Sequence, residues 1–213
     1  MPIVISLYDF FAFTIPGFLY LALLVYFFNI GGIVRVDEQT LKSLSLAHVV
    51  LLAIPAYILG AVFTPTARIW HRLFSRNPDI AGAVLKRFRA THPSVMVNFE
   101  AQEAFLLLAF IQRRNKEVAT NIERLNAIHI MLRNISFAFL LLTVAQLVEF
   151  LRIGWSVWGV FPPLVLFLLS LFAGKAGVRF AELFFLAIYE AIAADRLQVE
   201  ELVGYKPREC QAS

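Results

Sequence analysis

Four long stretches of the chain contain almost no charged residue, and polar segments separate them. Residues 10–34 and 43–67 each run for 25 residues without a formal charge. A third stretch, 134–151, carries Glu149 near one end, from where a carboxylate can reach the membrane surface. The fourth covers 153–174, with a proline pair near its outer end. Since a transmembrane helix needs about 20 mainly apolar residues, the pattern predicts four membrane spans.

The segment between the second and third stretches is too apolar for a solvated linker, and its pattern predicts two helices. We expect the first to be capped by Asn77 and to end near Thr91. The second should run from Asn98 to Arg114, with end charges that complement the helix dipole. Its apolar centre, residues 105–111, is too short to cross a bilayer. It is therefore either buried against protein or dips into the membrane surface.

Two further helices are expected to extend beyond the spans. From about Lys116 no glycine or proline interrupts the chain through the third stretch, so one long helix should run into the membrane. After the fourth stretch, residues 178–194 are nearly all apolar, with Arg179, Glu182 and Glu190 on a thin polar stripe. These helices should pack together, or against a neighbouring subunit.

The predicted fold is all-α: a polytopic membrane protein with four transmembrane helices and a cytoplasmic helical bundle formed by the 2–3 loop and the C-terminal helix. Its parts are a first transmembrane hairpin (1–67), a cytoplasmic helical domain (68–133), a second transmembrane hairpin (134–174), and a cytoplasmic C-terminal helix and tail (175–213). Loops rich in Lys and Arg stay in the cytoplasm. Residues 68–133 hold 11 of the 19 Lys and Arg residues, and the tail from Lys175 holds 5 more. Both termini are therefore expected in the cytoplasm.

Composition supports a membrane location. The 213-residue chain is 60% hydrophobic and 16% charged, and its mean hydropathy is +0.73, so it lacks the polar groups that cover a soluble surface. The net charge is only +4 and no recognition motif accompanies it, so direct binding of nucleic acid is not expected. The single Cys210 excludes an intrachain disulfide and a cysteine-based metal site.

Basic residues that follow the second span form a candidate binding group. Most groups of this kind satisfy membrane topology and meet anionic lipid headgroups, each residue contributing about 1 kcal/mol near a charged membrane. The alternative is that they dock an acidic soluble protein. The six residues are Arg68, Arg72, Arg76, Lys86, Arg87 and Arg89.

Small residues recur along one face of the second span. Ala56, Gly60 and Thr64 lie four residues apart, which is the pattern that lets membrane helices approach each other closely. The spacing predicts tight helix packing, either within one subunit or between subunits.

Glu149 is the main ionisable candidate within the spans, where charged residues are costly and often functional. The simpler interpretation is that it pairs with Arg152 at the outer surface. The other is that Thr143, Gln146 and Glu149 form a polar strip facing a symmetry axis. Such a strip would suit a cation pathway in an oligomer.

The chain offers no candidate catalytic residues, so an enzyme is not expected. No serine or histidine falls in a nucleophile-elbow context, and no glycine-rich phosphate loop occurs. His48, His71, His92 and His129 show no ligand spacing with carboxylates. We therefore expect neither a metal nor a cofactor.

Short motifs lie in and beside the two membrane hairpins: Tyr8-Asp9-Phe10, Ile15-Pro16-Gly17-Phe18, Arg133-Asn134-Ile135-Ser136, and an aromatic helix at residues 179–189. They resemble motifs of small bacterial membrane proteins with four spans. The layout is similar to that of the membrane subunit of the two-component Kiwa antiviral defence system. The resemblance implies a bacterial inner-membrane location and a link to antiviral defence.

Together these features favour a homo-oligomeric membrane scaffold or sensor that contacts membrane lipids and engages a soluble cytoplasmic partner. Continuous helices join the spans to the cytoplasmic domain, while residues suited to transport or catalysis are scarce. The alternative is a small oligomeric ion channel or membrane-permeabilising effector. It also requires oligomerisation, because one subunit has too few spans to enclose a large pathway. An enzyme that acts on lipid ranks third.

Overall fold

Six α-helices make up the part of the chain that the structure, a computed structural model, describes: residues 7–30, 45–75, 79–92, 99–153 and 157–194. In chain order they are α1 (Leu7–Ile30), α2 (Leu46–Arg72), α3 (Ile80–Thr91), α4 (Ala104–Arg114), α5 (Lys116–Ile153) and α6 (Val157–Ala194). A 3-10 turn at Ala101–Glu103 precedes α4. No strand occurs in these residues, and the predicted all-α class is confirmed.

Four of the helices are long and apolar enough to cross a membrane: α1, α2, α5 and α6. They coincide with the four predicted spans, so the protein is a multi-pass membrane protein. α5 and α6 have 38 residues each, which is about 57 Å of helix and nearly twice the roughly 30 Å hydrocarbon core. Both therefore continue beyond the membrane, as predicted.

The junction between the third and fourth spans differs slightly from the prediction. Ile153, expected to open the fourth span, is the last residue of α5, and α6 begins at Val157. Tandem prolines follow within the first two turns of α6, where few backbone hydrogen bonds are lost. The predicted tail beyond Ala194 lies outside the described residues.

The start of α3 was predicted wrongly. Asp79, not Asn77, is the N-cap, and its Oδ1 accepts a hydrogen bond from the Gly82 N–H at 2.9 Å. Asp and Asn cap helices about equally well, so the local pattern alone could not choose between them. The end of the helix at Thr91 is as predicted.

The second extramembrane helix also begins later than predicted. Asn98 lies outside the described residues, and the α-helix starts only at Ala104, after the 3-10 turn. The Glu100 N–H donates to Glu103 Oε2 at 3.0 Å, which is half of a capping box and fixes the entry of the chain. The end of the helix at Arg114 is as predicted.

α1 and α2 pack closely through small residues. A Cβ added to Gly17 would lie 1.7 Å from the carbonyl oxygen of Ala56, and one added to Gly60 would lie 2.0 Å from that of Phe13. Ala56 is completely buried. Thr64, the last small residue of the row, donates its hydroxyl to the Gly60 carbonyl at 2.8 Å. The structure thus places Ala56 and Gly60 of this row within one subunit, against α1.

Outside the membrane, α3 and α4 pack on the extensions of α5 and α6 and form one apolar core. All four helices contribute buried side chains: Val84, Leu85, Phe88, Leu107, Ile111, Ile122, Phe184, Ile188 and Tyr189. The 2–3 loop and the C-terminal helix therefore form a single bundle, in line with the predicted architecture. A rigid core of this kind holds the ends of α5 and α6 in one arrangement.

We expect Gly60→Ala to destabilise the α1–α2 hairpin. The new Cβ meets a backbone oxygen of Phe13, which no side-chain rotation can relieve, and overpacking of this kind costs up to about 3 kcal/mol. The gain in helix propensity is smaller, about 1 kcal/mol. Circular dichroism of the purified protein in detergent should show a lower melting temperature. Val62→Leu adds similar volume on a face where Val62 is 64% exposed, and an equal effect there would contradict this packing.

Candidate functional site

Polar side chains from all four membrane helices meet in a network that we call the polar junction: Tyr20, Thr64, Trp70, Asn134, Ser136 and Ser170. On one side of α5, Tyr20 Oη donates to the Asn134 carbonyl oxygen at 2.9 Å. Asn134 Nδ2 in turn donates to Thr64 Oγ1 at 3.0 Å. These two bonds connect α1, α2 and α5. Tyr20 and Asn134 are completely buried, so both bonds lie away from solvent.

On the other side of α5, the polar junction reaches α6. Ser136 Oγ accepts a hydrogen bond from Trp70 Nε1 at 3.0 Å and donates to the Ser170 carbonyl at 2.7 Å. Ser170 Oγ in turn donates a hydrogen bond to the Ser136 carbonyl, also at 2.7 Å. This reciprocal pair connects α5 with α6, and Trp70 adds α2.

One short motif on α5 supplies the centre of this network. Asn134 and Ser136 are two residues apart, so their side chains leave the helix about 200° apart and face different neighbours. Asn134 contacts α1 and α2, while Ser136 contacts α2 and α6. The motif was recognised in the sequence as part of residues 133–136, but its partners could not be identified there. The available signal was the pair of polar residues in an otherwise apolar stretch.

Directly next to the polar junction lie four basic side chains that we call the basic cluster: Arg68, His71, His129 and Arg133. The ring centroids of His71 and His129 are 5.3 Å apart, and the ring planes meet at 63° in an edge-to-face arrangement. His129 Nδ1 lies 2.9 Å from the carbonyl oxygen of Gly177 on α6. Arg133 interacts electrostatically with both histidines and with Arg68. His71 and His129, which are far apart in the sequence, are therefore neighbours in the structure.

In two members of the basic cluster, buried nitrogen atoms have no hydrogen-bond partner among the described residues. Arg133 and His71 are each only 6% exposed. The two ring nitrogens of His71 and the Nε of Arg133 have no hydrogen-bond partner in this part of the chain. The cluster therefore concentrates positive charge and unused hydrogen-bond donors at one place.

The described members of the predicted group of six basic residues lie at separate positions on α2 and on two sides of α3. Arg68 and Arg72 are exposed in the last two turns of α2, and Arg68 belongs to the basic cluster. Arg76 lies outside the described residues. On α3, Lys86 and Arg89 lie beside Glu100, on the far side of the helix from the groove described next.

A groove of about 590 Å³ separates α3 from α6. Its lining combines an apolar floor with charged residues of both signs: Val84, Phe88, Leu183, Leu186, Arg87, Arg179, Glu182 and Glu190. Arg87 is the member of the predicted basic group that faces it. The polar stripe predicted on the C-terminal helix forms its other wall. We call this feature the α3–α6 groove.

The predicted polar strip of α5 faces mostly into the subunit. Thr143 is buried and donates its hydroxyl to the Phe139 carbonyl at 2.8 Å. Gln146 Nε2 donates to Tyr26 Oη of α1 at 3.3 Å. Glu149 is half-buried nearer the end of the helix. The first two side chains are thus engaged by the subunit itself.

We expect Trp70 and Ser136 to be energetically coupled across the polar junction. Trp70→Phe removes the donor and Ser136→Ala the acceptor, so a double-mutant cycle isolates their interaction. Measured couplings between membrane helices average about 0.6 kcal/mol and reach about 1.7 kcal/mol. Unfolding of the four variants by titration with denaturing detergent should give a coupling in that range. A value of zero would show that the bond contributes nothing.

Chemically, the basic cluster offers positive charge and N–H donors, and the polar junction links the four membrane helices by hydrogen bonds. Within the described residues, no three His, Cys, Asp or Glu side chains lie close enough together to hold a metal ion.

Comparison of the chain with protein families, curated proteins and solved structures finds no match.

Proposed function

We propose that the protein is a homo-oligomeric membrane scaffold or sensor that engages a soluble cytoplasmic partner. The continuity of α6 carries this proposal. One unbroken helix supplies Ser170 to the polar junction, Gly177 to the basic cluster and Glu190 to the α3–α6 groove. Shifts of 1–2 Å along or around a packed helix are a common means of coupling distant sites. A change in the membrane would therefore alter one wall of the groove.

The α3–α6 groove is the proposed docking site for the soluble partner. Its floor is apolar at Val84, Phe88 and Leu186, and both signs of charge line its rim at Arg87 and Glu190. An amphipathic helix with a narrow apolar face and flanking charges matches this lining. The partner is therefore expected to present such a helix.

The proposed location is the bacterial inner membrane, with both termini and the bundle in the cytoplasm. The distribution of Lys and Arg supports this orientation, because residues 68–133 hold 11 of 19. A role in antiviral defence, implied by the similarity of layout, belongs to the same proposal.

An exposed apolar patch on α4 supports the proposed homo-oligomer. Leu107 and Ile111 are buried in the bundle, but Phe105 and Leu106 are 63% and 66% exposed. Phe105 lies beside Phe184, whose position on α6 is about 15 Å beyond the end of the fourth span. Each headgroup layer is only about 5–7 Å thick. The patch is therefore suited to a second copy of the chain rather than to lipid.

The alternative function, an oligomeric channel, receives less support from the geometry. A cation pathway would need the polar strip at the subunit boundary, whereas Thr143 and Gln146 bond within the subunit. Purified protein in liposomes is expected to give no ion flux. Flux from the protein alone would favour the channel over the scaffold.

Ala83→Phe should abolish partner binding, because Ala83 lines the groove and a phenyl ring would fill it. Ala90→Phe places the same ring on an exposed part of α3, outside the groove lining, and is the matched control. Cells that express the protein natively are crosslinked, and the co-purified soluble proteins are quantified by mass spectrometry. A partner that is lost with the first variant and kept with the second supports the proposal. Equal retention by both would exclude the groove as the site.

Phe105→Ser combined with Leu106→Ser should shift the protein from oligomer to monomer. The two substitutions remove the two large exposed apolar side chains of the patch. Native mass spectrometry from detergent measures the stoichiometry. Arg113→Ser, at the far end of the same helix, serves as the control and should leave it unchanged. A monomeric native protein would refute the oligomer directly.

A further inference from the structure

The basic cluster contains a buried cation without a counter-ion in the described part of the chain. Arg133 is 6% exposed, and its Nε has no hydrogen-bond acceptor there. Burial acts most strongly against its charged form, and the neighbouring guanidinium of Arg68 repels it as well. Burial of an unpaired guanidinium is costly, so such groups normally meet an anion.

The neighbouring side chains add donors and no negative charge. Both ring nitrogens of His71 lack a partner, and a neutral imidazole always carries one N–H donor. His129 uses its Nδ1 on the Gly177 carbonyl, which orients its ring beside His71. Two guanidinium groups and a free imidazole donor therefore lie near one another, and no carboxylate is among the groups that act on them.

The depth of the basic cluster matches that of lipid phosphates. Gly177 is three residues beyond the fourth apolar stretch, which corresponds to about 4.5 Å along α6. Arg133 immediately precedes the third stretch, and Arg68 immediately follows the second. A headgroup layer extends roughly 5–7 Å outside the hydrocarbon core. The cluster therefore lies level with the phosphate groups of one leaflet.

Arg68 is the most exposed residue of the basic cluster, whereas Arg133 and His71 are buried. Gly177 holds α6 close to them, since a Cβ at this position would be 3.1 Å from His71 Cε1. An anion entering from the membrane boundary would meet Arg68 first and Arg133 next.

We propose that Arg68, His71, His129 and Arg133 form a binding site for one phosphate group. Phosphate offers several acceptor oxygens and suits the planar fork of arginine better than a single-point acceptor does. Arg133 and Arg68 balance its charge, His71 donates an N–H, and His129 positions His71. The phosphate comes from a phospholipid headgroup or from a soluble phosphate, and the experiment separates the two sources. The site is distinct from the α3–α6 groove, so its failure leaves the docking proposal intact.

The test uses the full-length protein, freed of lipid in a phosphate-free detergent solution. Three probes are added separately: dioleoylphosphatidylglycerol, dioleoylglycerol without the phosphate, and inorganic phosphate. Melting temperature and native mass spectrometry record stabilisation and retention. A higher melting temperature with the phospholipid alone identifies a lipid phosphate as the ligand. The same result with inorganic phosphate alone identifies a soluble one. Equal stabilisation by dioleoylglycerol, or none by either phosphate source, would overturn the site.

Variants locate the binding. Arg133→Gln removes the buried charge and should weaken phosphate binding about tenfold or more, as expected for loss of a charge-assisted contact. Arg68→Gln changes an exposed residue, so the protein should still fold, and the same direction of effect is expected. Arg124→Gln removes an exposed charge from the same helix as Arg133, about 13 Å away, and should have no effect. Unchanged binding by both Arg68→Gln and Arg133→Gln would refute the assignment.

Discussion

Polar groups that enter a membrane must find their partners inside the protein, and the arrangement of these helices depends on that requirement. Asn134, Ser136 and Ser170 are completely buried in the protein, so solvent does not reach them and their side-chain donors bond to neighbouring helices. The reciprocal bonds between Ser136 and Ser170 achieve this with two short side chains and two carbonyls. They require α5 and α6 to lie close together. The polar junction therefore acts as a constraint on the register of the spans.

Close backbone packing makes the rest of the junction attainable. Gly17 and Gly60 leave no space for a side chain between α1 and α2. This approach aligns Tyr20 and Thr64 so that both reach Asn134. In lipid the packing contributes dispersion contacts in place of a hydrophobic driving force. Small residues and polar residues thus cooperate in the same set of contacts.

The two long helices carry this arrangement out of the membrane. The basic cluster lies where α5 and α6 leave the membrane. Farther out, the same two helices form the scaffold on which α3 and α4 pack. α6 has no break between the polar junction and the α3–α6 groove. In the proposed function, a movement of the fourth span would therefore change the shape of the groove. The basic cluster lies between them, where the occupancy of a phosphate group would affect both.

Positive charge in this chain serves more than one purpose. As a whole it sets the expected orientation of the spans, which depends on the number of Lys and Arg residues in each loop. Individually the residues differ: Arg87 faces the groove, Arg89 donates to the Phe99 carbonyl at 2.8 Å, and Arg133 is buried at the boundary. The most unusual member, Arg133, was not in the group selected from the sequence. It was absent because its burial depends on neighbours that are distant along the chain.

The sequence by itself determined the four spans, the helical class and the continuity of α5, because hydropathy, length and the absence of Gly and Pro act locally. It also determined where α3 and α4 end, although two equivalent caps left the start of α3 undecided. Only the tertiary structure decided that His71 meets His129 and that Asn134 meets Thr64. Such contacts depend on how helices rotate against one another. The local pattern predicted close packing at Gly60, but that its partner is Phe13 of α1 in the same subunit was decided by the tertiary structure.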